Sequence, residues 1–563
     1  MTGGKLSSWL CDVALILTIC FLLFFWGLGT IPFYDKQEAR EALVVWEINH
    51  TGNWILPLKN GVELPDKPPL FHWLGALVSK SLNRVDELTV RFPSALLGTL
   101  GVLLTYLAGA SLWGRSAGLV SALVLSTSFQ WWQAATTARV DMTVSFVMLC
   151  SFLLFFHLYR SGGGRGKAVI FGLLLGLATL AKGPLGLVVP CLTALIFLWT
   201  IRDFSFLKKL HPFTIISACV IVAGSWYALA LWQGGKAFFL IVIKENFHLG
   251  EQAAHPHPLY YYIPALFLNM APWSFFLLPV GAFIYHHRRR LAEEGLLYVV
   301  VWFVTVFVFF SAFTQKRTVY ILPLYPAVAL LFGAWWQKLK DMPFPSSLFL
   351  ARLAGWLNAA AFLFISGILL SEVMGLGLLE YVPFLGPKDQ ALLLVIENLL
   401  AQHQLAVLFW AALCGVGGIF LILAVRKGAW GPIMGCITGV MVTSFFFLQN
   451  FDPDLASHYS FKAFTKRVLP VVNDAPLFFY RSGDYGVVFY AGRRIPKYRE
   501  SLGGGKIPFY LLVWEKDWKQ IPDKEGLSLQ DASESIDRQE GRRLFLVAVK
   551  RPKAVGSILQ SNP

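Results

Sequence analysis

The first 450 residues alternate between long apolar runs and short charged segments. Apolar runs of about 17–25 residues are long enough to cross a bilayer as helices. Thirteen runs of roughly this kind lie at residues 9–31, 92–112, 116–136, 140–159, 168–181, 184–201, 213–232, 260–285, 295–313, 319–337, 349–371, 404–425 and 430–449. The pattern predicts a polytopic α-helical membrane protein with about thirteen spans.

Two segments break this pattern and are predicted to lie outside the membrane. Residues 32–91 form a long first loop, in which we expect interfacial helices. Residues 451–563 contain short strand-like runs, separated by glycine, proline and charged stretches: PLFFY from 476, VVFYA from 487, FYLLVW from 509 and RLFLVAV from 543. We therefore expect four parts: a first transmembrane helix (1–31), a loop that carries the catalytic motif (32–91), a bundle of about twelve spans (92–450) and a small α/β domain (451–563).

Composition supports a membrane protein and gives its orientation. Hydrophobic residues make up 56% of the chain and charged residues only 14%, whereas soluble domains carry about 25% charge. A net charge of +15 would suggest nucleic acid in a soluble protein. Here lysine and arginine concentrate in alternate loops, as the positive-inside rule requires. We therefore expect a cytoplasmic N-terminus, a C-terminal domain on the opposite side and no nucleic-acid partner.

A smaller set of charged and histidine residues falls in the outer loops, where lysine and arginine should be scarce. Ionisable residues at membrane depth or at span ends are candidate functional residues. The set comprises Asp35, Glu38, Arg40, Asp66, Lys67, Arg139, Asp141, Lys182, His255, His257, Lys316 and Arg317. Because all of them lie at the outer ends of spans or in adjoining loops, the sequence predicts one outward cavity lined by charges of both signs.

Such a cavity suits the displacement of a lipid-linked phosphate. Lysine and arginine bind phosphate as a point charge and as a bidentate fork, and they stabilise charge that grows on a leaving group. A neighbouring carboxylate suits a general base that acts on an acceptor hydroxyl. The glycine-rich segment SGGGRGK (161–167) lacks the spacing of a P-loop. The displacement itself needs no ATP, and the absence of a phosphate-cradling glycine loop fits this chemistry.

Several motifs resemble one enzyme class when they are taken together and in order. They are QEAREALVVWEI (37–48), GNWILPLKNGVELPDKPPLFHWL (52–74), RFPSALLG (91–98), ARVDM (138–142), AKGPLGLVVP (181–190), HPHPLYYYIP (255–264), APWS (271–274) and QKRTVYILPLYPA (315–327). The chain resembles the polyprenyl-phosphate-sugar-dependent glycosyltransferases of the GT-C class, which include the protein O-mannosyltransferases. In layout it is most similar to the bacterial lipid A 4-amino-4-deoxy-L-arabinose transferases.

The resemblance implies roles for individual residues. The family's first loop usually carries Asp-Glu-x-Arg, and Gln37 stands where that aspartate would be. The catalytic carboxylate is then Glu38 or, as the second choice, Asp35, and Asp141 is the acid of the second loop. The remaining implied residues are the lipid-phosphate pair Arg40 and Lys67, the further cations Arg139, Lys182, Lys316 and Arg317, and the possible metal ligands Asp66 and His255. No cofactor is required, although family members can hold a divalent metal.

These expectations combine into one function with several alternatives. The expected reaction moves a sugar from undecaprenyl phosphate to lipid A or a related lipopolysaccharide, with inversion, at the bacterial inner membrane. The acceptor could instead be protein Ser/Thr, or the chain could transport lipid-linked sugars. Because Gln37 stands in place of the family's aspartate, the chain could also be a protein that binds a lipid phosphate without catalysing transfer. A purely structural alternative makes Asp35, Glu38 and Arg40 capping and ion-pair residues of an interfacial helix.

Overall fold

A computed structural model describes residues 3–247, 256–288, 295–339, 345–377, 387–498, 509–521, 524–538 and 540–550. The chain divides into two compact units. The first unit comprises residues 1–26, 66–71 and 91–450, and the second comprises residues 27–65, 72–90 and 451–563.

The first unit is a bundle of apolar helices. Within the described residues, eight helices are long and apolar enough to cross a membrane: Ser7–Phe25, Glu87–Trp113, Val140–Arg160, Pro212–Glu245, Thr318–Lys338, Leu348–Val373, Gln404–Lys427 and Trp430–Phe451. A ninth candidate is the pair Leu259–Asn269 and Trp273–His286, which is bent by 117°. Three shorter apolar helices are Arg115–Ser126, Leu185–Thr200 and Leu296–Ala312. The chain is therefore a multi-pass membrane protein, and the predicted fold class is confirmed.

The thirteen predicted runs each overlap one of these segments or the helix Arg165–Lys182. Fewer than thirteen of these segments in the described residues have the length and composition of a full span. Helix Arg165–Lys182 carries three cations, which keeps it out of the apolar set. The run 116–136 is divided into Arg115–Ser126 and Phe129–Thr136 at Thr127 and Ser128, whose hydroxyls donate to carbonyls of the preceding turn. Eight or nine spans satisfy length and composition, so thirteen stays a prediction.

The second unit contains the predicted first-loop helix, which spans Lys36–Thr51. Its buried side packs against the short helix Tyr485–Ala491 from the tail. Phe33 fixes the approach to this helix: its ring lies 5.2 Å from that of Phe489, and its backbone N–H donates to the Tyr490 hydroxyl. Further helices in the described part of the chain are Leu70–Ser81, Phe206–Lys209, Pro387–Gln402, Lys462–Val472 and Glu515–Gln520.

A four-stranded sheet forms the core of the tail. Its strands are β1 (Leu477–Phe479), β2 (Phe509–Trp514), β3 (Leu527–Ala532) and β4 (Leu544–Val549), in the order β1-β2-β4-β3. β1 pairs with β2 in parallel, and the other two pairings are antiparallel. β2 and β4 are buried almost along their whole length, which explains why both read as continuous apolar runs.

One of the four predicted strands is wrong, and one strand is missing from the prediction. VVFYA lies in helix Tyr485–Ala491, because Asp484 caps its N-terminus by accepting a hydrogen bond from Val487 N–H, and Gly492 ends it in the left-handed conformation. β3 has the sequence LSLQDA and is mostly half-buried or exposed. Its polar composition hides it from a search for apolar runs.

Candidate active site

The predicted site residues are distributed over both units. Asp35, Glu38 and Arg40 belong to the second unit, whereas Asp66, Lys67, Arg139, Asp141, Lys182, Lys316 and Arg317 belong to the first. His255 lies outside the described residues.

Asp35 is the N-cap of helix Lys36–Thr51. Its Oδ1 accepts a hydrogen bond from the backbone N–H of Gln37 at 2.8 Å, and its own backbone is extended. An aspartate here satisfies one of the unpaired N–H groups of the first turn and complements the helix dipole. This hydrogen bond supports a structural role for Asp35 as a helix cap. Asp35 is therefore a poorer candidate for the catalytic base.

Glu38 lies in the first turn of this helix and is only 2% exposed. It is thus a buried carboxylate on a fixed backbone rather than a solvated surface charge. Burial of this kind is typical of acids that act in catalysis, and also of structural ion pairs.

Arg40 is held by a network that the sequence did not reveal. Its Nε and Nη2 bind Glu41 Oε1 at 3.1 and 2.7 Å, and the other oxygen of Glu41 lies 2.6 Å from Nε2 of His72. Because an ionised carboxylate only accepts hydrogen bonds, Nε2 of His72 must carry the proton. Glu41 and His72 are 31 positions apart and both buried. Glu41 therefore fixes the orientation of the guanidinium, and His72 fixes Glu41.

The ionisation of Glu41 depends on these partners. Burial alone would raise its pKa, but the charge of Arg40 and the hydrogen bond from His72 outweigh burial and hold the pKa of Glu41 well below its usual value. A depressed folded-state pKa stabilises the fold at every pH above the unfolded value, about 4.3. That stability is lost as the pH falls from there towards the folded-state pKa.

We expect Glu41→Gln to destabilise the protein by about 3 kcal/mol at pH 7, because it leaves buried donors without their charged acceptor. The variant should also lose less stability than the parent between pH 5 and about pH 3. Thermal unfolding in lipid discs, followed by tryptophan fluorescence, measures both effects. Glu534→Gln is the matched control, because that side chain is 90% exposed. Equal acid sensitivity of Glu41→Gln and the parent would contradict the assignment.

In the first unit, three separate motifs meet at one end of the helix bundle. Asp141 lies in the first turn of Val140–Arg160, and Lys182 lies in the last turn of Arg165–Lys182. Lys182 Nζ donates to Asp141 Oδ1 and lies 4.4 Å from the centre of the Tyr320 ring. Arg139 immediately precedes the Asp141 helix. The ARVDM, AKGP and QKRTVY segments are therefore neighbours, as one cavity wall would require.

The QKRT and HPHP segments are also joined. Gln315 bridges to Pro256, and Nζ of the buried Lys316 donates to the carbonyls of Phe313 and His257. The Tyr262 hydroxyl donates to the Arg317 carbonyl at 3.2 Å. Lys316 thus ties two loops together through backbone oxygens, which makes it a poorer candidate for binding a phosphate directly.

Lys67 has a partner that sequence reasoning missed. Its Nζ lies 2.7 Å from Oε2 of Glu245 and 3.9 Å from Asp66. Glu245 is the last residue of the candidate span Pro212–Glu245 and lies in the last turn of helix Ser225–Phe247. The sequence does place Glu245 at the end of a span beside Lys244, which could have marked it as a candidate. However, Glu245 belongs to none of the motifs described above. Among the described residues, no group of three or more His, Cys, Asp or Glu side chains could hold a metal.

Comparison with known proteins identifies the architecture. Residues 66–227 match the family described as dolichyl-phosphate-mannose-protein mannosyltransferase. The fold of ArnT from Cupriavidus metallidurans, solved with bound undecaprenyl phosphate, superposes with a TM-score of 0.77 over 98% of this chain and 99% of that one, at 19% identity. The chain therefore has the fold of ArnT. The resemblance predicted from the motifs is thereby confirmed.

Curated relatives carry the name undecaprenyl phosphate-alpha-4-amino-4-deoxy-L-arabinose arabinosyl transferase. The relative from Enterobacter sp. (strain 638) is 28% identical over 61% of this chain and 62% of its own length. The relative from Pectobacterium carotovorum is 27% identical over 75% of this chain and 73% of its own length. For the first relatives the match spans about three fifths of their length. The chain is thus similar in sequence to arabinosyl transferases over three fifths or more of its length.

Proposed function

We propose that this chain is a membrane glycosyltransferase that moves a sugar from undecaprenyl phosphate to lipid A or a related lipopolysaccharide. The observation that carries the proposal is the meeting of Asp141, Lys182 and Tyr320 from three motifs at one end of the bundle. The names of the curated relatives support the donor and suggest 4-amino-4-deoxy-L-arabinose as the sugar.

In the proposed reaction, Glu38 removes the proton from an acceptor hydroxyl, which attacks the anomeric carbon. The bond from that carbon to the phosphate oxygen breaks, and the configuration inverts. Lys67 and Arg40 neutralise the charge on the departing lipid phosphate. Asp141, held by Lys182, orients the sugar or the acceptor. No step uses a nucleotide or a metal.

The proposed location is the bacterial inner membrane, with the N-terminus in the cytoplasm and the C-terminal domain in the periplasm. The distribution of lysine and arginine over alternate loops supports this orientation. A polyprenyl-phosphate donor in the outer leaflet then reaches its acceptor without crossing the membrane.

The protein acceptor is the second candidate, because the matching family is described as a protein mannosyltransferase. Purified protein in lipid discs, given undecaprenyl-phosphate sugars with either lipid A or a Ser/Thr-rich polypeptide, separates the two by mass spectrometry of the product. Sugar on lipid A supports our proposal. Sugar on the polypeptide, or transfer to neither, contradicts it.

Lys67 and Glu245 offer a test of the lipid-phosphate site in which two substitutions act in opposite directions. Lys67→Ala should lower the rate of transfer by about 10²-fold or more, since it removes a cation from the leaving phosphate. Glu245→Gln should instead lower the KM for the donor a few-fold, because the carboxylate competes with the phosphate for Lys67 Nζ. Steady-state kinetics on both variants measures this. Loss of donor affinity in Glu245→Gln would show that the pair is structural.

A further inference from the structure

The second unit contains a cavity of about 800 Å³, and Arg40 is the one lining residue that the reaction above uses. Its walls come from residues 33–37, 39 and 40, from Lys59 and from parts of the tail between Tyr459 and Arg542. All of them belong to the second unit. The volume falls within the range of about 300–1,000 Å³ that is usual for small-molecule sites.

Aromatic rings with cations over their faces line this cavity. The guanidinium of Arg542 lies 4.6 Å from the centre of the Trp514 ring, and that of Arg538 lies 5.6 Å from the centre of the Tyr34 ring. Lys59 Nζ lies 5.8 Å from the centre of the Tyr485 ring. Rings with a polar edge pack against the C–H faces of a sugar while neighbouring donors bind its hydroxyls.

The charges of the lining favour an anion. Five cations line the cavity with four carboxylates, but the carboxylates are engaged. Asp35 and Asp484 cap helices, and Asp537 and Glu540 both pair with Arg542.

Two of the cations, Lys36 and Arg538, are exposed and form no salt bridge within the described part of the chain. Lys36 interacts with the Asp484 carboxylate through its charge, and Arg538 lies over the Tyr34 ring. These two cations can bind a phosphate without giving up an internal salt bridge.

We propose that this cavity binds the phosphorylated saccharide headgroup of the acceptor glycolipid. The inference rests on the proposed function. Aromatic rings hold the sugar rings, and Lys36 and Arg538 bind the phosphate. The cavity is larger than one monosaccharide requires, and nine charged side chains in its lining disfavour a polyprenyl chain.

The cavity lies beside the first turn of helix Lys36–Thr51. Lys36, Gln37, Ala39 and Arg40 line it, whereas the buried Glu38 does not. An acceptor headgroup bound here would lie against the helix that carries the proposed base. The uncharged Gln37 then borders the acceptor and adds no repulsion against its phosphate.

The test uses the double variant Lys36→Gln/Arg538→Gln of the full-length protein in lipid discs. The matched control is Lys466→Gln, an exposed cation of the same unit that does not line the cavity. We expect the KM for lipid A to rise at least tenfold in the double variant, with the donor KM unchanged. The dissociation constant of a bisphosphorylated glucosamine disaccharide without acyl chains, measured by calorimetry without donor, should rise by the same factor.

The binding and kinetic measurements separate this inference from the proposed function. Disaccharide binding that weakens in the double variant supports the inference even if no sugar is transferred. Transfer with an unchanged acceptor KM overturns it and leaves the proposed function intact. Equal binding of the phosphate-free disaccharide, equal competition by inorganic phosphate, or tighter binding of a phosphopeptide would each overturn it as well.

Discussion

Replacing Glu38 by glutamine is expected to slow sugar transfer by about 10²–10⁴-fold, the usual contribution of a general base. Glutamine keeps the size and the hydrogen-bonding capacity of the side chain but cannot accept the acceptor's proton. Binding of the donor should change little, because the phosphate is held by cations. Single-turnover transfer rates and donor affinity, measured on the same preparation, separate chemistry from binding.

Asp35 supplies the decisive control for this prediction. Asparagine is as good an N-cap as aspartate, so Asp35→Asn should keep helix Lys36–Thr51 intact and retain most of the rate. Asp35→Ala should lose about 1 kcal/mol of stability through the lost cap. If Asp35→Asn removes activity while Glu38→Gln retains it, Asp35 rather than Glu38 is the base. If both variants retain activity, neither residue is the base.

The second large effect is expected from Lys182 and Asp141. Both side chains are mostly buried, at 16% and 11% exposure. Lys182→Met should therefore destabilise the protein by about 3 kcal/mol, because it leaves the Asp141 carboxylate without its partner. It should also lower the rate of transfer by at least about 10²-fold, since Asp141 is no longer oriented.

The double variant Lys182→Met/Asp141→Asn separates structure from function. Removing both charges should restore most of the stability, because no unpaired buried charge remains. Activity should stay low if Asp141 positions a substrate. Thermal unfolding and transfer rates on the two single variants and the double variant complete the cycle. If the double variant recovers both stability and activity, Lys182 and Asp141 have only a structural role.

The sequence predicted the apolar architecture well because hydrophobic length is a local property. The positions of the thirteen runs depend only on consecutive residues, and each overlaps an apolar helix or, at 168–181, the helix Arg165–Lys182. The order of the motifs was equally readable. The number of spans was harder to predict. The helix breaks at Thr127 and Ser128, inside an apolar run that hydropathy alone would treat as one span.

Side-chain pairs between distant positions could not be predicted from the sequence, for a physical reason. His72 and Glu41 meet although 31 positions separate them, and Lys67 meets Glu245 across 178. No periodicity records such contacts, since they depend on how helices are placed. The helix at Tyr485–Ala491 shows the same limit: VVFYA has strand propensity, but its two caps and its packing decide the outcome.

The composition of the second unit has a consequence for biosynthesis. Its first segments, residues 27–65 and 72–90, are made before roughly 360 residues of the helix bundle, and its last segment begins only at residue 451. At about 5–20 residues per second, the ribosome needs roughly 20–70 s for that interval. During this interval, the apolar side of helix Lys36–Thr51 is uncovered, because helix Tyr485–Ala491 has not yet been synthesised. Chains that stop before residue 451 would keep this surface uncovered and become substrates for quality-control proteases.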